Sequence, residues 1–502
     1  MPRCAPVEEI ELKFQVPDAA RAALRKAVAT ARARRTRLEA AYFDTADRRL
    51  ARAGVALRLR KEGRRWVQAL KAGGAHAMQR LEHEVPVAAS SGRMPELDLD
   101  RHAGTPAAGQ LGRALAHADG EQPLHERYRT DVMRTCRALR PRGAKVEVAF
   151  YEGRIVAGAE TMPIAELEFE LLAGTSRALI DSARRWVQRH AVWLDVRSKA
   201  ERGDLLSQGL ARAPARKAGA SSLQRGCSVH AALRAGVRDC LAQMLPNASQ
   251  IAGGAYDDEH VHQLRVGLRR LRSLLRFFEG AWPPEAAAWE PRLKALFQQL
   301  GATRDRDVLI ATLVPALLAA GAPPVELPAP PPGADLAQAL RAPDVTLLWL
   351  DLLAFASEAP EADRDRPQAL EAIASERLDG WHQGIVKKRK RFDALDEEAR
   401  HTLRKHAKRL RYAAEFVAPL YAAQKAERYL AKLPRLQESL GAYNDLCVAS
   451  EAYRAALSGD ARAWFALGWI AARRAAAVEA CGRALGKFAK AKPFWDRSRI
   501  GS

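Results

Sequence analysis

The chain has 502 residues, 81 Lys+Arg against 59 Asp+Glu, and a formal net charge of +22. With 48% hydrophobic and 28% charged residues it can bury sizeable cores, which excludes a disordered basic tail and a disulfide-stapled miniprotein. The length points to more than one domain, and the charge to a polyanionic partner: nucleic acid, an anionic membrane surface or a phosphate-rich small molecule.

The excess charge is spread over both halves, with 37 Lys+Arg against 27 Asp+Glu in residues 1–210 and 44 against 32 in residues 211–502. The six cysteines, Cys4, Cys136, Cys227, Cys240, Cys447 and Cys481, form no close pair and no metal-type spacing. That pattern reads as reduced, cytosolic usage. Met1 to Phe14 turns acidic and strand-like at once, so no secretory signal is expected. The uncharged run Val308 to Val325 contains Pro315 and falls short of the roughly 20 apolar residues of a membrane span, so a buried helix is expected there.

In chain order, short alternating segments predict strands at Glu9–Phe14, Val55–Arg60, Arg65–Lys71, Leu81–Val87, Ala144–Tyr151 and Ala165–Leu171. Helical patterns fall at about 18–30, 107–117 and 176–190. A small, polar, Pro/Gly-punctuated stretch follows from Ala211 to Ser222, a linker composition. Beyond it the chain reads as helix throughout, broken by a proline-rich connector at Pro323–Pro332. The expected domains are 1–208, a linker at 209–226, and a helical domain at 227–495.

That helical part contains an internal repeat. His262-x2-Arg265-x3-Arg269-Arg270-x-Arg272 matches His401-x2-Arg404-x3-Lys408-Arg409-x-Arg411, and Leu300-Gly301-Ala302-x2-Asp305 matches Leu440-Gly441-Ala442-x2-Asp445. Two related bundles are expected, at about 227–322 and 340–495.

In the first strand, Glu9, Glu11 and Lys13 share one face and Ile10, Leu12 and Phe14 the other. The pattern recurs with Arg58 and Arg60, with Glu82 and Glu84, and with Glu166, Glu168 and Glu170. One such strand has an ordinary reading, a solvated charged face. Several of them, closed into a barrel with polar faces inward, would put acids and bases in one lumen. Carboxylate oxygens suit hard cations such as Mg²⁺ or Mn²⁺, and Arg and Lys suit phosphoryl oxygens. The apolar faces would point outward under the three predicted helices.

Glu9-x-Glu11-x-Lys13 resembles the signature of the CYTH domain, the triphosphate tunnel metalloenzymes. Further ordered matches are Tyr42-Phe43-Asp44-Thr45, Leu57-Arg58-Leu59-Arg60, Ala69-Leu70-Lys71, Glu82-x-Glu84, Arg127-x-Arg129, Glu166-x-Glu168-x-Glu170 and Ser198-Lys199-x2-Arg202-Gly203. The resemblance implies an eight-stranded antiparallel tunnel with covering helices that acts on triphosphates with divalent metal. It implies metal-binding roles for Glu9, Glu11, Glu168 and Glu170. Lys13, Arg58, Arg60, Lys71, Arg127, Arg129 and Lys199 become triphosphate-binding cations. Glu168 or Glu170 is the water-orienting base, and Lys13 is a catalytic cation. Glu82, Glu84 and Glu147 are further candidates. Tyr151 stands where the family commonly carries Asp, and Glu152 beside it faces the other way. The expected substrate is inorganic triphosphate, with thiamine triphosphate or ATP cyclisation as other activities within the family.

His262, Arg265, Arg269, Arg272 and Arg276 are spaced 3, 4, 3, 4, which places them on one helix face, and His401, Arg404, Lys408 and Arg411 repeat the stripe. Leu264, Leu268, Leu271 and Leu275 should bury on the opposite face. Like charges at these spacings destabilise a helix, so the duplicated stripe points to a compensating anion, and its length of about 21 Å suits a linear polyphosphate. These blocks, with Arg304-Asp305-x-Asp307-Val308-Leu309 and Leu436-Gln437-x2-Leu440-Gly441-x2-Asn444-Asp445, resemble the CHAD domain, a conserved-histidine α-helical domain. The resemblance implies two four-helix bundles with a basic surface that binds inorganic polyphosphate. Asp305, Asp307 and Asp445 would orient the basic side chains.

The leading reading is therefore an α+β protein, a cytoplasmic, metal-dependent inorganic triphosphatase with a polyphosphate-binding helical module and association with polyphosphate granules as a further expectation. The alternative is a polyphosphate-binding or granule-targeting protein with a weak or inactive tunnel. No nucleic-acid or membrane partner is expected, since nucleic-acid motifs are missing and aromatics are only 6%. The oligomeric state is left open.

Overall fold

A computed structural model describes residues 7–74, 77–88, 93–116, 122–301, 313–328, 335–358 and 367–495. Arg304, Asp305, Asp307, the first part of the uncharged run and part of the proline-rich connector lie outside these residues. The chain divides into two compact units: residues 1–217, 241–264 and 337–358, and residues 218–240, 265–336 and 359–502.

The strands of the first unit are β1 (Val7–Gln15), β2 (Arg34–Asp44), β3 (Val55–Glu62), β4 (Arg65–Gly73), β5 (Gln79–Val87), β6 (His125–Leu139), β7 (Lys145–Ala157), β8 (Glu160–Ala173) and the two-residue β9 (Trp193–Leu194). They run in the order β5-β4-β3-β2-β6-β7-β8-β1, all antiparallel, and β1 also pairs with β5, which closes an eight-stranded barrel. β9 adds to the C-terminal half of β1 where β5 has ended. Closure matters because it leaves no free sheet edge.

Period-two alternation explains the wall. Leu12, Phe14, Val148, Phe150, Leu167 and Phe169 bury their side chains outside the barrel, away from the charged residues that alternate with them. Helices α1 (Asp18–Val28) and α4 (Ser176–His190) cover this face, contributing Leu24, Val28, Leu179, Ile180, Ala183 and Val187. Phe14, Phe169 and Trp186 meet edge to face at 5.8 Å. Helix α2 (Arg49–Arg52) and helix α3 (Pro106–Leu115) cover β3, β4 and β5 through Leu50, Ala107 and Leu111. The three helices expected from periodicity are thus present, and their apolar faces are the ones in use.

β2 and β6 invert the pattern. Leu38, Ala40, Tyr42, Tyr128 and Val132 point inward and form an apolar wall, while Arg37 and Asp131 pair on the outside at 2.9 Å. Helix α5 (Lys199–Ser207) packs on that inner wall. It opens with a capping box, Ser198 and Glu201 each bonding the other's backbone. Gly203 lies so close to Tyr128 that a Cβ would sit 2.3 Å from the ring. The ring cannot retreat, because it stacks on Tyr42 at 4.7 Å and its hydroxyl donates to Ala200 O at 3.0 Å. Gly203→Ala is therefore expected to cost about 1–3 kcal/mol, read as a lowered melting temperature. An unchanged melting temperature would show that α5 shifts freely.

Further helices include α6 (Val229–Ala252), α7 (Asp258–Phe277), α8 (Trp289–Gln299), α9 (Leu336–Arg341), α10 (Pro343–Ser357), α11 (Pro367–Lys388), α12 (Glu397–Val417), α13 (Ala423–Leu430), α14 (Leu433–Ala456) and α15 (Ala463–Phe488). The end of α6, the start of α7, and α10 belong to the first unit. There Arg184 of α4 pairs with Asp351 of α10 at 2.8 Å. Within the second unit α11 packs on α12, α12 on α14 and α14 on α15. The two basic stripes fall on α7 and α12, whose starts, Asp258 and Glu397, keep the sequence repeat's offset. Leu264, Leu268, Leu271 and Leu275 are buried, as the helix periodicity requires. Among the described residues no helix is long and apolar enough to cross a membrane.

Candidate functional site

The barrel encloses a cavity of about 880 Å³. Glu9, Glu11, Lys13, Arg58, Arg60, Lys71, Arg127, Glu168, Glu170 and Lys199 all line it, as do Glu82, Glu84 and Glu147. Arg129 does not. A register shift beside Tyr42 leaves Arg127 as the extra residue of a bulge, so Arg127 and Tyr128 both meet the lumen. Arg129 then faces outward, where it holds Glu126. A second inward guanidinium on β6 is Arg134, which bonds Glu147 and donates to the Tyr151 hydroxyl at 3.0 Å.

Most lumen carboxylates have a cation beside them. Lys71 lies 2.8 Å from Glu9 and 3.0 Å from Glu82; Lys13 lies 2.7 Å from Glu11; Arg60 lies 2.9 Å from Glu84. Lys199 bridges Glu168 at 2.7 Å and Glu166 at 2.5 Å, and Arg202 also contacts Glu166. Lys199 additionally stands 4.1 Å over the Tyr151 ring. Tyr151 thus stacks under a cation and accepts from another, while Glu152 points out of the barrel to Arg25 at 2.5 Å.

Register places Glu11 opposite Glu170, Glu170 opposite Glu147, and Lys13 opposite Glu168. Like charges directly across a ladder repel. Glu170 has no ion-pair partner among the described residues, and burial, with Glu9 and Glu147 near, pushes it up to about 7. Burial also pushes Glu82 up, aided by Glu9 and Glu84. Burial opposes ionisation of Glu9 as well, but Lys71 and a hydrogen bond from Glu82 hold its carboxyl far down. Burial works the same way on Glu168, which Lys199 and Lys13 hold ionised.

A hard divalent cation fits this donor set. Glu9, Glu11, Glu147 and Glu170 supply only carboxylate oxygens, crowded on neighbouring strands, and the row is short of positive charge where Glu170 stands. Among the described residues no three His, Cys, Asp or Glu groups already converge to metal-binding distance.

On the helices, Arg265, Arg269 and Arg272 range their guanidinium groups over one ring, Phe297 of α8, at 5.0, 5.6 and 5.9 Å. Arg272 and Arg276 share Glu290 at 2.8 and 3.2 Å. On α12, His401 bonds Asn444 at 2.6 Å and Arg411 bonds Glu415 at 2.6 Å and Gln437 at 3.1 Å. His262 is half-buried on α7. The two stripes meet at Lys408: burial, then Arg404 and Arg269, lower its amine to about 7, with Arg265 adding and Asp445 opposing.

Sequence reasoning missed Arg134, Arg202 and the rim residues Arg34 and Arg48. Arg134 was out of reach of that argument, because its parity is opposite to that of Arg127 and Arg129 and only the bulge turns it inward. Arg202 was quoted only within a motif, and its contact with Glu166 depends on α5 entering the barrel.

A model of the CYTH domain family matches residues 8–203, and a model of the CHAD domain family matches residues 235–454. The chain carries a CYTH domain followed by a CHAD domain. It is 31% identical over 170 residues to an inorganic triphosphatase of Haemophilus influenzae, a match that covers 33% of this chain and 44% of that protein. The chain thus spans less than half the length of that curated relative. Among solved structures, the CHAD domain of Ricinus communis is 29% identical, with a TM-score of 0.44, covering 55% of this chain and 97% of that one. A Hippeastrum protein described as a candidate adenylyl cyclase with a dominant triphosphatase activity is 17% identical, with a TM-score of 0.28, covering 40% and 96%.

Proposed function

We propose that the CYTH domain hydrolyses inorganic triphosphate with a divalent metal, Mg²⁺ or Mn²⁺, and that the CHAD domain binds inorganic polyphosphate. One observation carries the first part: a closed barrel whose lumen sets carboxylates and cations on facing walls. Lys13, Arg58, Arg60, Lys71, Arg127 and Lys199 bind phosphoryl oxygens and offset their charge. Glu9, Glu11 and Glu170 would hold the metal, which supplies charge neutralisation at the terminal phosphoryl group. Glu168 stays ionised between Lys13 and Lys199 and orients them. Glu170, across the ladder from Glu11, takes the proton of the attacking water. Water oxygen bonds the terminal phosphorus, the bridging P–O bond breaks, and orthophosphate and pyrophosphate leave.

The test is a comparison of kcat/KM for triphosphate, ATP and thiamine triphosphate. Triphosphate is expected to lead by about tenfold or more, since the lumen's paired walls of carboxylates and cations suit phosphoryl oxygens and a metal; equal values would refute the assignment. A second reading, a binding protein with an inactive tunnel, is favoured by one observation: most lumen carboxylates are taken up by Lys and Arg, and among the described residues no three-ligand cluster stands ready. Turnover separates the two.

For the CHAD domain, Lys408 gives a pH signature. A lysine lowered to about 7 is charged below that pH and neutral above it, and a polyanion favours the charged form. Polyphosphate is therefore expected to bind about tenfold more tightly at pH 6 than at pH 8, and Lys408→Gln to flatten the dependence. Titration calorimetry at both pH values reads this, and a pH-independent affinity of the unmodified protein would contradict it.

A further inference from the structure

The two ends of the barrel are furnished differently. Strands alternate in direction around it, so the starts of β2, β4 and β7 share one end with the finishes of β3, β6 and β8. At the opposite end α5 and the strap of residues 213–216 line the cavity, together with Pro246, Asn247, Gln250 and His260. That strap lies within the expected linker, yet it is fixed: Asn247 accepts from Arg216 N at 3.0 Å and donates to Arg216 O at 2.9 Å. His260 donates through Nε2 to Ala213 O at 2.9 Å and meets Asp257 through Nδ1 at 2.7 Å.

At the first end, among the described residues, only the strands themselves line the cavity, with Arg34 and Arg65 at its rim. Six cations crowd two neighbouring connections there. Arg32, Arg34 and Arg35 lead into β2, and Arg140, Arg142 and Lys145 lie in the β6–β7 hairpin. β2 pairs with β6, Arg34 opposite Cys136, so the two groups adjoin. All six are exposed, and none has an ion-pair partner among the described residues. Nearby exposed arginines are paired by contrast: Arg25 holds Glu152 and Arg37 holds Asp131. A solvated basic face is the ordinary reading of such a cluster. Here Arg34 lines the rim of a charged cavity, the other five lie at the same end of the barrel, and among the described residues all six are unpaired where Arg25 and Arg37 are paired. Lys145 precedes Glu147 by two residues, about 7 Å along β7, so the collar begins close to the acidic row.

We propose that this collar marks the entrance for linear phosphate chains, and that it binds the phosphates that trail behind those held in the lumen. The proposal rests on the triphosphate reading of the lumen. A rim of one sign beside a low-dielectric cleft concentrates oppositely charged substrate and raises its on-rate by 10- to 10³-fold, an effect that salt removes.

The test compares two exposed pairs with equal charge change, Arg34→Glu/Arg142→Glu at the collar and Arg52→Glu/Lys217→Glu at the opposite end, outside the cavity lining, in the full chain. At low ionic strength the collar pair is expected to lower kcat/KM for triphosphate about tenfold, through KM, with a larger loss for tetraphosphate. The loss shrinks below about twofold in 1 M salt, where the Debye length is about 3 Å. The pair at the opposite end is expected to change either value less than about twofold. Equal losses from the two pairs, or none from the collar, would overturn the proposal. If the unmodified protein does not hydrolyse triphosphate, the functional reading fails, and equilibrium binding of triphosphate to the same variants decides the entrance by the same ratio.

Discussion

Glu9→Gln/Glu11→Gln is expected to lower kcat for triphosphate hydrolysis at least about a hundredfold while KM stays level or falls. Both carboxylates are buried on the inward face of β1, Glu9 against Lys71 and Glu11 against Lys13. Glutamine keeps their shape and removes two negative charges from among the cations. An anionic substrate then meets less repulsion, so its binding does not suffer. What is lost is the carboxylate set for a divalent ion, and charge neutralisation by such an ion is worth several kcal/mol in the transition state. At 1.36 kcal/mol per factor of ten that is a hundredfold or more. Leaving Lys71 with Glu82 as its remaining partner also has a stability cost, below the ~3–5 kcal/mol of a buried pair that loses one partner outright. Thermal melting is therefore measured beside the kinetics. A well-folded variant with full kcat would remove Glu9 and Glu11 from the mechanism.

The second large effect is in the CHAD domain. Arg265→Ala/Arg404→Ala is expected to weaken polyphosphate binding about a hundredfold or more, since each guanidinium–phosphate contact is worth about 1.5–3 kcal/mol. The two residues come from different repeats and both act on Lys408, which places them in one cationic cluster. Loss of two phosphate contacts also reduces the steepness of the salt dependence, by about 1.4 in log K against log salt if polyphosphate behaves as a single-stranded polyanion does. Titration of long-chain polyphosphate at several salt concentrations reads both quantities. Unchanged affinity with unchanged slope would mean that the stripes serve the fold and not a ligand.

The barrel was legible where charged and apolar residues alternate. β1, β3, β4, β5, β7 and β8 all contain such segments because their outer faces bury under helices and their inner faces carry charge. β2 and β6 lack the signal for a physical reason. Their outer faces hold Arg37, Arg129 and Asp131, while Tyr42, Tyr128 and Val132 turn inward beneath α5, so hydrophobicity marks the wrong side. Arg129 was misplaced by the same strand, because a bulge at Arg127 shifts the parity that a sequence pattern assumes. The strap at 213–216 reads as linker since it is alanine and proline up to Arg216, and the residues that hold it, Asn247 and His260, are over thirty positions away. Helix spacing identified both basic stripes, but spacing says nothing about which faces meet, so their convergence on Lys408 needed coordinates.

The most direct measurement is ³¹P NMR of inorganic triphosphate incubated with the purified chain, with Mg²⁺ or Mn²⁺ and then with a chelator. Catalysis in the tunnel predicts that the triphosphate resonances give way to orthophosphate and pyrophosphate in equal amounts, and that the chelator stops the conversion. Triphosphate left intact with every divalent ion tried would contradict it.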